Sequence, residues 1–80
     1  MNKLLEPTED LTERERLMRI LFEERKHRRI PQHRMASHMG TQQPGLARLE
    51  QAGQDPHLST LIRYANALGM RLEFRLIAKK

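Results

Sequence analysis

The chain contains no cysteine, so neither a disulfide nor a Cys-ligated zinc ion holds its fold, and a reducing cytoplasm is its expected setting. No apolar run is long enough to span a bilayer, and the opening residues MNKLLEPTED lack the hydrophobic stretch of a secretion signal. Tryptophan is absent, and two Phe and one Tyr leave few rings on which unpaired bases could stack. That scarcity argues against a single-strand binder built on an aromatic platform. Eighty residues form one small domain with a modest core, for which oligomerisation is an expected source of extra stability.

What is present is charge, unevenly placed. The chain has 15 Lys and Arg against 10 Asp and Glu, a net charge of +5. Residues 1–24 carry four basic and seven acidic side chains, whereas residues 25–80 carry eleven basic and three acidic ones. A domain that faces phosphates has this asymmetry, and so does an ordinary solvated basic surface; charge alone leaves both open.

The stretch Gln32–Gln51, QHRMASHMGTQQPGLARLEQ, reads as two short helices joined across Met39-Gly40-Thr41. Gly40 stands where the turn needs a positive φ, which only glycine reaches without steric cost. Ala36 is small enough for the second helix to cross closely, and Leu46 and Leu49 turn that helix toward the core. Such a helix-turn-helix presents its second helix to the DNA major groove.

Around it the periodicity predicts two more helices. The first begins between Thr8 and Thr12, with Thr12 and Glu15 as a capping box, and runs to about Arg28 with Leu17, Met18, Leu21, Phe22 and Arg25 on one face and its margin. Pro31 marks the next boundary, giving helices over about 31–39 and 42–52, Pro44 falling harmlessly in a first turn. Residues 53–57 form a loop, and a fourth helix spans about 59–68, with Leu58, Leu61, Ile62, Ala65 and Leu68 at helical spacing and Gly69 as its stop.

The period then changes. Met70, Leu72, Phe74 and Leu76 alternate with Arg71, Glu73 and Arg75, the pattern of a half-buried strand. One strand cannot satisfy its own backbone, so the expected partner is the same segment of a second copy across a two-fold axis. A fifth helix is the alternative. The expected organisation is a flexible arm over residues 1–10, a helix-turn-helix domain over 11–69, and a dimerisation strand with a basic tail over 70–80. The fold class is mainly α, with four to five helices and a C-terminal strand pairing across a homodimer.

On the third helix Pro44, Ala47, Arg48 and Gln51 point away from the Leu46 side, with Gln43 at the exposed tip. Gln suits bidentate contact with adenine and Arg with guanine. Gln42, Gln43, Pro44, Ala47 and Arg48 are therefore the candidate base-reading residues. Gln32, Arg28, Arg29, Arg34, Thr41 and Gln51 are the candidate phosphate contacts, Gln32 acting together with nearby backbone N–H groups. The cations near the end of the first helix also have a plain structural explanation in its dipole.

From Arg25 to Gly69 the chain resembles the Cro and phage-repressor (XRE) helix-turn-helix family, on Arg25, IPQHRMASHMGTQQPGLARLEQAG and DPHLSTLIRYANALG. The resemblance implies a structural ion pair between Arg25 and Glu50 rather than a DNA contact from either. The chain departs from the family pattern at Pro31, where Ser or Thr is usual, at Pro44-Gly45, and at Ala47. A domain of this kind ending in a dimerising strand is similar to the HigA/HipB-type antitoxins.

The expected function is a cytoplasmic, dimeric, sequence-specific regulator of double-stranded DNA, a repressor acting on a palindromic operator. Eighty residues leave no room for a separate sensing domain, so regulation is expected from dimerisation, turnover or a protein partner. That favours an antitoxin, with acidic residues 1–16 as a toxin-binding arm. The competing readings are a protein-interaction module without specific DNA binding, non-specific nucleic-acid binding through RKHRRIPQHR, and a phage or restriction-system controller. An enzyme is not expected, because adjacent Glu23 and Glu24 diverge on a helix. No cofactor or metal is expected either, because His27, His33, His38 and His57 lack ligand spacing.

Overall fold

Thr12 starts the first helix as its spacing to Glu15 requires. Its hydroxyl accepts from the Glu15 N–H at 3.0 Å, and its own N–H donates to Glu15 Oε1 at 3.0 Å. A computed structural model describes residues 12–79 and contains four helices there: α1 (Glu13–His27), α2 (Gln32–Met39), α3 (Gln43–Leu49) and α4 (Leu58–Ala67). The arm expected over residues 1–10 lies outside the described residues, as does most of the proposed toxin-binding stretch.

Three of the four helices end alike. The N–H of Ile30 returns to the carbonyl of Arg25, that of Thr41 to Ala36, and that of Met70 to Ala65, each with an inner bond from the preceding residue. This closure needs a left-handed residue at its centre. Gly40 (φ 69°) and Gly69 (φ 79°) supply it without strain, but after α1 the position is Arg29, with φ 57°. A side chain there carries a conformational cost that glycine avoids.

Several boundaries differ from the sequence reading. Pro31 and Gln42 are N-caps rather than helical residues, and α3 ends at Leu49 instead of Ala52. With only seven residues, α3 has two turns to gain from hydrogen bonding, so its order depends on packing. The fourth helix starts one residue earlier than expected, at Leu58.

The core is formed by Met18 and Leu21 of α1, Met35, Ala36 and Met39 of α2, Leu46 of α3, and Leu61, Tyr64 and Ala65 of α4, closed by Leu68. Helix α2 packs against α3, and both α1 and α2 pack against α4. Helical spacing alone does not give the buried set of α4. Leu58 and Ile62 are exposed, and Tyr64 is fully buried in their place. At 100° per residue Leu61, Tyr64, Ala65 and Leu68 share one narrow stripe, and Leu58 and Ile62 fall on its flank.

Residues 70–79 form neither helix nor strand within the single chain. The fifth helix, the alternative for this segment, does not form. Leu72 packs on the edge of the core, but Phe74, Leu76 and Ile77 are exposed at 62%, 105% and 83%.

Candidate nucleic-acid interface

The site is built outward from one buried carboxylate. Glu50, just past the end of α3, accepts from Arg25 Nε at 2.7 Å and Arg25 Nη2 at 3.0 Å, a two-pronged pairing. Tyr64 Oη–H donates to the same carboxylate at 2.6 Å, and Gln32 Nε2 donates at 3.0 Å. The side chains of Arg25 and Glu50 are only 9% and 3% exposed, so this is an interior ion pair. The remaining Arg25 Nη1 donates to the carbonyl of Ile30, tying the pair to the α1–α2 turn. The ion pair implied by the family resemblance is present, and the structure adds Gln32 and Tyr64 to it.

The electrostatics follow from that enclosure. Burial acts to lower the Arg25 pKa, but the hydrogen bond and charge of Glu50 outweigh it, and the guanidinium is held above its already high ordinary value. Tyr64 is pushed upward, first by burial and then by Glu50, which favours the neutral phenol over a second negative charge.

The network reaches the surface at the tip of α3. Gln32, the first residue of α2, turns its Nε2 inward to Glu50, and its Oε1 accepts from Gln43 Nε2 at 3.3 Å. Gln43 is the first residue of α3 and is exposed. A carboxylate only accepts, so the polarity of both amides is set from inside: Gln43 keeps one N–H and its Oε1 free to face outward.

Beside Gln43 the outer face carries exposed Thr41, Gln42, Pro44, Arg48 and Gln51, with Ala47 half-buried between them. Leu46 is buried beneath and Leu49 partly so, which fixes the orientation of the helix. From Arg25 to Leu49 the sequence has no Asp or Glu, so Arg34 and Arg48 lie on a surface without local carboxylates, and neither makes an ion pair among the described residues. Pro31 caps α2 without a side-chain hydrogen bond, leaving the first backbone N–H groups of that helix open beside Gln32.

The other candidate phosphate contacts are placed differently. Arg28 donates to Glu24 Oε2 and, at 2.7 Å, to the carbonyl of Leu68, where it closes the end of α4. Arg29 is exposed at the left-handed turn position. Arg63, which sequence reasoning passed over, closes α2 by donating to the Met39 carbonyl at 2.8 Å. Among the described residues no group of three or more His, Asp or Glu side chains is gathered for a metal ion, and no helix is long and apolar enough to cross a membrane.

Four helices around an Arg–Glu pair, with a short third helix bared on its outer side, define a helix-turn-helix domain. The chain belongs to that family: the family model described as a helix-turn-helix domain matches residues 4–77. The chain is similar to Antitoxin HigA1 of Mycobacterium tuberculosis in strains CDC 1551/Oshkosh and ATCC 25618/H37Rv, at 45% identity over 64 residues. The match covers 80% of this chain but 43% of each relative, so the chain spans less than half the length of the curated relatives it matches. No solved structure gives a significant match.

Proposed function

We propose that this chain is a non-enzymatic, cytoplasmic regulator of the antitoxin type, which binds double-stranded DNA through α3 in the major groove. The observation that carries the reading is the outer face of α3: Gln43, Pro44 and Arg48 exposed around a half-buried Ala47, on a helix held from behind by Leu46. Gln43 supplies the donor and acceptor that adenine requires, and Arg48 the paired donors that guanine requires. Gln42 and Pro44 shape the fit at the tip. Thr41, Gln51, Arg34 and the open N–H groups at the start of α2 contact phosphate, and Gln32 joins them through its second N–H.

Two copies act together in this reading, as a repressor on a palindromic operator. The alternating segment Met70, Leu72, Phe74 and Leu76 pairs with no strand among the described residues and leaves Phe74 and Leu76 in solvent. Pairing with a second copy satisfies the backbone and covers those side chains. Two α3 helices on one face of the duplex then require half-sites about 34 Å apart. The similarity to HigA1 supports a toxin protein as the further partner.

The test is selection of bound sequences from a random duplex pool by the purified chain at physiological salt. A palindrome with half-sites one helical turn apart supports the proposal. Salt-sensitive binding without any motif refutes it and favours the non-specific reading.

A further inference from the structure

We infer that Tyr64 is a positioning residue for the tip of α3: through Glu50 and Gln32 it fixes the amide of Gln43, and with it the hydrogen-bonding face that Gln43 offers to a base. The inference rests on the proposed reading of DNA by Gln43, but its structural half stands apart from it.

Tyr64 makes no approach to the surface. It is fully buried on α4, and its hydroxyl lies 2.6 Å from Glu50 Oε2, the oxygen that also accepts from Arg25 Nε. The other oxygen, Oε1, accepts from Arg25 Nη2 and from Gln32 Nε2, each at 3.0 Å. Four donors thus match the four lone pairs of one carboxylate. With all four in place the carboxylate has one orientation, and the side of it that holds Gln32 is fixed. Removing the phenol leaves Oε2 with one donor and frees the group to rotate toward Arg25. Gln32 then loses its anchor, and its contact with Gln43, at 3.3 Å the longest in the series, is the first to weaken. A phenylalanine would fill the same space, so the hydroxyl is needed by this network and not by packing.

Tyr64 is the only tyrosine in the chain, which makes the test clean. The first measurement is of the DNA-free protein: the side-chain amide signals of Gln32 and Gln43 in Tyr64→Phe, with Gln54 in the exposed loop as the reference. Both Gln32 and Gln43 signals should move while the reference stays. Because Tyr64→Phe could fail to fold, wild-type chain with 3-fluorotyrosine at this one position provides a second probe. Its altered hydroxyl should shift the same two amides.

The second measurement uses the duplex selected by wild type. Tyr64→Phe should reduce discrimination by about threefold to tenfold, a part of what a full bidentate contact provides. The loss should fall at the base pair whose preference Gln43→Ala abolishes, and should add nothing in the Gln43→Ala background. Gln43 signals that stay put overturn the role of Tyr64 whatever the DNA result. A loss spread over all base pairs, or additive with Gln43→Ala, also overturns it. A wild-type chain that selects no motif refutes instead the DNA reading on which the second half depends.

Discussion

Replacing Glu50 with alanine should be the most damaging single change in this domain. It removes the acceptor for Arg25 Nε and Nη2, Tyr64 Oη and Gln32 Nε2 at once. Taken separately, hydrogen bonds to a charged group contribute about 1.5–3 kcal/mol each. They do not add here, because the freed donors share one relaxed pocket. The dominant loss is the charge left behind: Arg25 is 9% exposed, and a guanidinium cannot escape by giving up its proton. Breaking a buried pair in this way costs about 3–5 kcal/mol. A domain of this length has a total stability of about 4–12 kcal/mol, at ~0.05–0.15 kcal/mol per residue. The melting temperature should therefore fall by about 12–40 °C, at ~4–8 °C per kcal/mol. Urea unfolding followed by helical circular dichroism measures the change directly. The control is Arg25→Met combined with Glu50→Leu, which leaves no unpaired charge and should be about 2 kcal/mol more stable than Glu50→Ala alone. A loss below about 1 kcal/mol for Glu50→Ala, or a double variant worse than the single, would refute the reasoning.

Arg29→Gly should raise stability by about 0.5–1 kcal/mol, because it relieves a side chain from φ 57° while adding some freedom to the unfolded chain. A shift in the urea midpoint at constant m-value checks it. Tyr64 gives the domain a dependence on alkaline pH. Its pKa is raised in the fold by burial and Glu50, so its contribution is complete below the unfolded value of about 10 and declines as pH rises above that. Phenolate absorbance should appear together with unfolding; if it appears near pH 10 with helicity intact, the burial argument is wrong.

Much of this architecture is legible in the sequence because its determinants are local. Thr12 and Glu15 make a capping box from a three-residue spacing, Gly40 and Gly69 close their helices through their own backbone freedom, and Met35, Ala36 and Met39 keep helical period. Where the reading failed, the determinant was the three-dimensional neighbour. Leu58 and Ile62 satisfy the period of α4 but lie on a flank left exposed among the described residues, and Leu58 and Tyr64 stand equally far in phase from Leu61, so period alone does not separate them. Arg28 is indistinguishable in sequence from a phosphate contact until Leu68 is brought beside it. Arg63 likewise has no local signal for its contact with Met39. The ion pair of Arg25 and Glu50 came from family resemblance, since 25 residues of separation carry no spacing rule. Tyr64 and Gln32 as its further partners follow only from the fold. The rotation of α3 was legible because Leu46 and Leu49 both lie on its inner side, Leu46 buried and Leu49 partly so.

The central claim is that α3 reads bases, and Arg48 is its most direct probe: its side chain is exposed and makes no ion pair among the described residues. The decisive measurement compares wild type and Arg48→Ala on the selected duplex and on its single-base-pair variants, at several salt concentrations. The account predicts that discrimination falls by about 1–3 kcal/mol at one base pair per half-site and is kept at the others. Binding that weakens equally on every duplex, with the salt dependence reduced by about one phosphate per half-site, would contradict it and make Arg48 a backbone contact.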